Sequence, residues 1–441
     1  MSKTVPTLSL VGDDQIDPNP LVLPPELADA FAGIAEVARE GLLAMSAAAG
    51  MAVMAQMMEA EIAELAGPKH ARDPERTVTR HGTAAGSVVL GGRRVPVTRP
   101  RARTTGGTGA EVELDTYRTF NDDDLLGEVI MERMLARVAT RRHRQVADPV
   151  GADVEAASRS TSKSSVSRRF KTATAKAIDE LMGRDLSDLA VVAMMIDGII
   201  FAEQCCVVAM AISTDGTKTP VGLWLGDTEN KTVVTALLAD LSARGLDASG
   251  GLLFVIDGAK ALAAGVRRVF GDHAVIQRCT IHKRRNVVDH LPKEQRPFVD
   301  AKLSKAFNNP DPLAGRRAAM DLARMLEDRH PDAAASLREG LDDMFTVRRF
   351  GLSDRLCRTL SNTNTIESMI SIARDTAGNV KRWRDGKMIK RWVAAGMLNA
   401  ERSFRRVKGV KDMPALVTAL ARHIDQLDET KEVHPDHQMT A

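Results

Sequence analysis

Aromatic side chains are scarce in this 441-residue chain: they form 3% of it, with one tyrosine, Tyr117. That scarcity argues against a single-strand nucleic-acid binder, which stacks bases on aromatic platforms. Cysteine is also sparse. Four cysteines rule out a disulfide scaffold and suit a reducing cytosol. The chain does not open with a basic stretch followed by an apolar core, so no signal peptide is expected. Long apolar runs are almost missing. The nearest, residues 41–58, carries no charge but consists mostly of Ala, Met and Gly. Such residues give little transfer free energy, so a buried or self-associating helix is expected there, in preference to a membrane span. Net charge is small too: 61 Lys and Arg stand against 58 Asp and Glu, leaving +3.

The remaining composition is that of a globular protein, with 44% hydrophobic and 27% charged residues. The length allows about two to four domains. The near-neutral total hides segregation. Residues 1–66 hold two basic and ten acidic groups, a net of −8. Residues 69–104 hold nine basic against two acidic groups, 141–184 ten against five, and 376–411 eleven against two. A single basic block can be a solvated face. Three of them spread along the chain favour an extended polyanion such as double-stranded DNA.

The pattern divides the chain into six stretches. Residues 1–22 are polar and Pro-rich and read as a tail. Residues 23–67 read as an acidic Ala/Met-rich helix whose apolar density suits packing on another copy. Residues 68–120 form a basic region in which two β-like runs flank Gly91-Gly92, a hairpin signal. Arg93 and Arg94 lie at that turn as candidate phosphate contacts. Residues 121–186 read as helical. Ser162 or Ser164 can cap a helix with Arg168, Arg169 and Lys171 in its early turns and Val166, Phe170, Ala173 and Ala177 inside. This suits the DNA-contacting second helix of a helix-turn-helix; the competing reading is an ordinary bundle helix. Residues 187–405 begin with three apolar strands and then alternate helix and strand. The expected fold class is α/β, with helices on the faces of a mixed sheet and a charged, helix-like stretch without clear strands at 283–360. Residues 406–441 read as a C-terminal helix and tail.

Asp197 and Asp257 end apolar runs, and glycine follows each. A carboxylate at the end of a buried strand is costly unless paired. Neighbouring parallel strands would bring both acids to one sheet edge, where a divalent cation relieves their repulsion. Hard oxygen ligands select Mg²⁺ or Mn²⁺. The competing reading of each Asp-Gly is a turn. Glu367 is the candidate third acid. Helical spacing sets it with Ser371 and Arg374, away from Ile366, Met369, Ile370 and Ala373. Its competing reading is a capping box with Asn364.

Four segments, in this order, resemble the bacterial Mutator-type insertion-sequence transposases: the strand ending in Asp197-Gly198, VIDGAKAL with Asp257, QRCTIHKRRNV, and LSNTNTIESM. The resemblance covers roughly residues 70–405. It implies an RNase H-like catalytic core, with an all-helical insertion at about 290–360 between the second and third acids, in which Asp197, Asp257 and Glu367 are the DDE acids. It also marks Cys279 and His282 as a supporting pair. Read from the residues alone, these two offer half a zinc site without a second half, a phosphate or ligand-orienting group, or a packed Cys and a hydrogen-bonded core His.

The expected function is transposition by phosphodiester chemistry. The three acids would hold two Mg²⁺ or Mn²⁺ ions. Lys283, Arg284 and Arg285, together with Lys381, Arg382 and Arg384, would join the other basic groups on phosphates. Trp383 and Trp392 read as helix-packing residues or base wedges. A homodimer or larger assembly, a cytoplasmic, nucleoid-associated location and no membrane partner are expected. The competing functions are an RNase H-like nuclease or resolvase and a catalytically silent DNA-binding regulator.

Overall fold

The computed structural model describes residues 25–433, except 71, 72, 74, 107, 108, 202, 227 and 229. The expected tail at 1–22 and the end of the expected C-terminal tail lie outside the described residues. In chain order, α1 (Pro25–Ala66) precedes β1 (Val78–Leu90), β2 (Arg93–Thr104) and the short β3 (Glu111–Val112). Helices α2 (Asp115–Phe120), α3 (Asp123–Leu135), α4 (Ala152–Ala157) and α5 (Lys163–Gly183) follow. Strands β4 (Val191–Phe201), β5 (Gln204–Ser213) and β6 (Lys218–Gly226) lead through α6 (Lys231–Ala243) to β7 (Leu252–Ile256). Next come α7 (Lys260–Phe270) and β8 (Ala274–Arg278). The rest is helical apart from short 3₁₀ turns: α8 (Thr280–Asp289), α9 (Arg296–Phe307), α10 (Pro312–Glu327), α11 (Pro331–Arg338) and α12 (Thr346–Arg349). The last four are α13 (Asp354–Leu360), α14 (Asn364–Thr376), α15 (Gly386–Glu401) and α16 (Met413–Val433).

The chain forms two compact units. One takes the chain up to Asp123 together with Gln145–Thr161, and the other takes Asp124–Arg144 and Ser162 onward. In the first unit, β1 and β2 pair antiparallel and β3 extends the sheet. The hairpin turns at Gly91 and Gly92, with φ of 58° and 74°. Two successive positive φ angles strongly favour glycine, and the twist of such a turn matches that of the strands. Met54, Met58, Ile62 and Ala66 recur every four residues along one stripe of α1. They are buried against Val88, Val95, Ala102 and Leu114. Leu42, Met45, Val53 and Met57 of the same helix are exposed. Within α1, the stretch Gly41–Ala66 is long and apolar enough to cross a membrane by length and composition.

The second unit is built on a mixed sheet of order β6-β5-β4-β7-β8. β4, β5 and β6 are antiparallel neighbours, while β7 and β8 run parallel to β4. Met194, Ile196, Phe254 and Ile256 point to one face and share a core with Leu237 and Leu241 of α6 and Leu262 and Val266 of α7. The alternate residues point to the other face. There α14 contacts β4, and α5 and α15 contact β6. Ser162 caps α5 by accepting the Ser165 amide at 3.3 Å. Phe170 of α5 packs on Trp392 of α15, ring centroids 4.6 Å apart. The helices from α8 to α12 have their own core around Leu303, Phe307, Leu322 and Phe345.

Candidate active site

Strands β7 and β8 stop at the same level beside β4, which runs on past it. Ile196 of β4 registers with Ile256 of β7, and Ile256 with Arg278 of β8. The next residues are Asp197, Asp257 and Cys279. Since Ile196 and Ile256 face α6 and α7, the alternation of side chains turns Asp197 and Asp257 toward the α14 face.

The Asp-Gly dipeptides differ from a pair of turns. β4 does not end at Asp197 but continues to Phe201, with Asp197 opposite Val208 and Gly198 opposite Val207. The edge opens at Asp197 because its parallel neighbour β7 stops at Ile256. At Asp257 there is a turn as well, for its Oδ1 accepts the Ala259 amide at 2.8 Å. Asp197 Oδ1 accepts the Gly198 amide at 2.8 Å. Among the described residues, the second oxygen of each carboxylate has no hydrogen-bond partner.

Glu367 comes from the first turn of α14, whose inner face buries Ile366, Met369, Ile370 and Ala373. The capping-box alternative is not formed: the Asn364 amide donates to Asn362 Oδ1 at 3.0 Å. Glu367 Oε1 instead accepts the hydroxyl of fully buried Thr363 at 2.6 Å.

Cys279 caps α8, its Sγ accepting the His282 amide at 3.5 Å. The C-x-x-H spacing therefore places His282 one turn into that helix. The start of α8 is tied to the segment before α14, because the Thr280 amide and hydroxyl both donate to the Ser361 carbonyl, at 2.9 and 3.0 Å. The Thr363 hydroxyl lies 3.3 Å from Cys279 Sγ and 3.3 Å from His282 Nδ1. Thr363 thus joins the supporting pair to the third acid. Donor atoms of Cys279, His282 and Glu367 all lie within 4.8 Å of one another. The Thr363 oxygen lies within 3.3 Å of a donor atom of each of the three. The described residues supply no further ligand for a zinc site.

The charges interact across this end of the sheet. Burial pushes the Asp197 carboxyl up to about 6, against the Gly198 amide; the charges of Asp257 and Glu367 add to the rise and His282 opposes it. The hydrogen bond with Cys279 raises His282 to about 9 despite desolvation, and the charges of Cys279, Glu367 and Asp197 contribute. For the Cys279 thiol, burial raises the pKa, but hydrogen bonds with His282 and Thr363 outweigh it and the net shift is downward. His282 is accordingly a cation at neutral pH. Half-buried Asp197, Asp257 beyond the end of the adjacent strand and Glu367 on α14 offer hard oxygen donors of the type a divalent cation prefers. An ion there would neutralise the charge that burial makes costly at Asp197.

The basic residues singled out in the sequence fall into two groups. Arg93 is buried, paired with Glu155, and donates to the Asp148 carbonyl at 2.7 Å. Arg94 donates to Ser87 Oγ at 2.7 Å and to Asn121 Oδ1 at 2.5 Å. Lys283 is buried, and its Nζ donates to the Ser336 and Glu339 carbonyls at 2.6 and 2.8 Å. Arg284 pairs with Asp300 at 2.5 Å, and Arg169 is half-buried. The expected phosphate contacts at Arg93, Arg94, Lys283 and Arg284 give way to internal pairing, because buried guanidinium and ammonium groups need partners. Arg168, Lys171, Arg285, Lys381, Arg382 and Arg384 are exposed. Trp392 is buried, and Trp383 packs on Phe201 at 5.0 Å. Thr363 was missed in the sequence; its signal was a threonine four residues before the glutamate at a helix entry.

A family model described as "Transposase, Mutator family" matches residues 31–406. The chain belongs to the Mutator family of transposases. Within this family it is 26% identical over 234 residues to "Transposase for insertion sequence element IST2" of Acidithiobacillus ferrooxidans, covering 50% of the chain and 77% of the relative. It is 29% identical over 197 residues to the IS6120 transposase of Mycolicibacterium smegmatis, covering 43% of the chain and 59% of the relative. It is also 24% identical over 322 residues to the ISRM5 transposase of Rhizobium meliloti, covering 72% of the chain and 78% of the relative. The family match spans both the N-terminal unit and the sheet that carries Asp197 and Asp257.

Proposed function

We propose that this Mutator-family chain catalyses Mg²⁺-dependent cleavage and strand transfer of double-stranded DNA at the ends of an insertion sequence. The observation that carries the reading is that Asp197 and Asp257 each follow the registered pair Ile196–Ile256 of parallel β4 and β7, with Glu367 of α14 among the charges that raise the Asp197 carboxyl. This placement supports an RNase H-like core with a DDE triad. Asp197, Asp257 and Glu367 would hold two divalent ions, which activate a nucleophilic oxygen and stabilise a leaving one.

The protein's own groups divide the remaining work. Thr363 holds Glu367 in one orientation by donating to Oε1. His282 supplies a positive charge beside the acids, and Cys279 sustains that charge through its hydrogen bond. The exposed groups Arg168, Lys171, Arg285, Lys381, Arg382 and Arg384 supply phosphate contacts, which makes binding salt-sensitive. Two element ends must be handled together, so a dimer or larger assembly is proposed. The exposed apolar stripe Leu42, Met45, Val53 and Met57 on α1 supports that assembly. The site of action is the cytoplasmic nucleoid.

The test is end cleavage and joining of the element's own terminal DNA in Mg²⁺. Asp197→Asn should abolish both steps and leave DNA binding intact. Undiminished joining by that variant would sink the reading, and cleavage without any joining by the unaltered protein would favour a nuclease.

A further inference from the structure

We propose that a cationic groove over the start of α14 seats the sugar–phosphate backbone of duplex DNA on its way to the acids. The cavity measures about 760 Å³ and is lined by four separate segments. Lys218 comes from β6, Arg355 and Arg358 from α13, and Arg405, Arg406 and Lys408 from the segment after α15. Asn364 and Thr365, in the first turn of the helix that carries Glu367, complete the wall.

The charge in this groove is only partly compensated. Its one acidic lining residue, Asp354, is already taken by Arg348 at 2.6 Å and by Arg358. Arg406 reaches Asp215 at 3.4 Å. Arg355, Arg405 and Lys408 have no carboxylate partner among the described residues, and all three are exposed. Crowded like charges repel, so a groove of this kind gains most from a polyanion. The positive end of the α14 dipole adds to the same field.

The lining also selects among polyanions. It contains Arg, Lys, Asn and Thr but no aromatic ring. A single strand, which binds by stacking its bases, finds no platform there. Duplex backbone needs only cations and hydrogen-bond donors. Asn362 and Asn364 line the groove on either side of Thr363, whose hydroxyl holds Glu367. A backbone in the groove would therefore lie beside the residue that sets the third acid.

The inference rests on the transposase reading, but its test is a binding measurement that needs no catalysis. The probe is a mixed-sequence duplex, bound by the full chain over a range of salt concentrations. In the triple variant R355Q/R405Q/K408Q, the slope of log affinity against log salt should fall by about 2–3, near 0.9 for each phosphate no longer neutralised. Affinity should fall equally for unrelated sequences, and the thermal midpoint should stay unchanged. R317Q/R324Q/R329Q removes the same charge from α10 and the turn after it and should keep the original slope. An unchanged slope in the groove variant, or an equal fall in the control, overturns the groove. If the slope falls as expected while Asp197→Asn still cleaves, the catalytic reading fails and the groove stands.

Discussion

The Thr363 hydroxyl lies 2.6 Å from Glu367 Oε1 and donates its proton there. The same oxygen is 3.3 Å from His282 Nδ1, and with the His282 pKa raised to about 9 by its hydrogen bond with Cys279 the ring favours the protonated form, in which Nδ1 donates. A charge-assisted chain thus runs from imidazolium through hydroxyl to carboxylate, and such bonds are stronger than neutral ones. It fixes the one acid that comes from a helix instead of from the sheet. Removing the hydroxyl with Thr363→Val should weaken metal-dependent cleavage by about 10–100-fold, as loss of a group orienting a metal ligand does. The Mg²⁺ concentration for half-maximal cleavage should rise with it. Thr363→Ser should recover most of both. A Val variant with the original Mg²⁺ dependence would contradict the relay.

Asp197 makes the metal-free protein pH-sensitive in a defined direction. Its carboxyl is raised from 3.8 to about 6 by burial, so the native state holds a proton that the unfolded state has released. The stability this contributes is complete below about pH 4 and is lost as pH rises to about 6. Above pH 6 the buried charge is a standing cost. Asp197→Asn removes it and should raise the thermal midpoint of the metal-free protein at pH 8, with little gain at pH 4. Calorimetry of both proteins at the two values checks this. A lower midpoint for the variant at pH 8 would show that the carboxylate is stabilising instead.

The sheet and its acids were largely legible in the sequence. LAVVAMMID and GLLFVID are runs of apolar residues because both faces of β4 and β7 are covered, and their order gave a mixed sheet. The period of α14 separated Glu367 from Ile366, Met369 and Ile370 for the same reason: helical geometry is local. Other features depend on long-range placement. That β4 continues past Asp197 follows from its pairing with β5. The relay through Thr363 needs α8 and α14 to meet, although 81 residues separate Thr363 from His282. Arg93 and Lys283 looked like phosphate contacts because sequence shows charge but not the carboxylate or carbonyl that a fold brings to it.

Those internally paired cations lead to a contrast. Arg93 is buried and tied to half-buried Glu155, so Arg93→Ala, which empties a buried site and leaves Glu155 unpaired, should destabilise the N-terminal unit by about 1–3 kcal/mol. Arg168→Ala, at an exposed position, should leave stability unchanged and reduce the salt slope of DNA binding by about one. Denaturant unfolding and salt titration of both variants distinguish the two roles. Equal stability in Arg93→Ala and the unaltered protein would return Arg93 to the surface set.

The Thr363 oxygen among Cys279, His282 and Glu367 leads to a prediction about metal content. Protein purified in the presence of zinc and then desalted should carry far less than one zinc per chain by atomic emission. One tightly held zinc per chain would mean that the hydroxyl gives way to an ion.

The most direct test of the central claim is the cleavage rate of Asp257→Asn in Mg²⁺ under single-turnover conditions. Asparagine keeps an oxygen for the Ala259 amide that Asp257 Oδ1 now accepts, so the turn and the fold survive while the charge is lost. Binding of terminal DNA should be unchanged and cleavage should fall by about 10²–10³-fold, the scale on which charge stabilisation in a transition state operates. Cleavage within about tenfold of the unaltered protein would contradict the assignment of Asp257 to the metal-holding set.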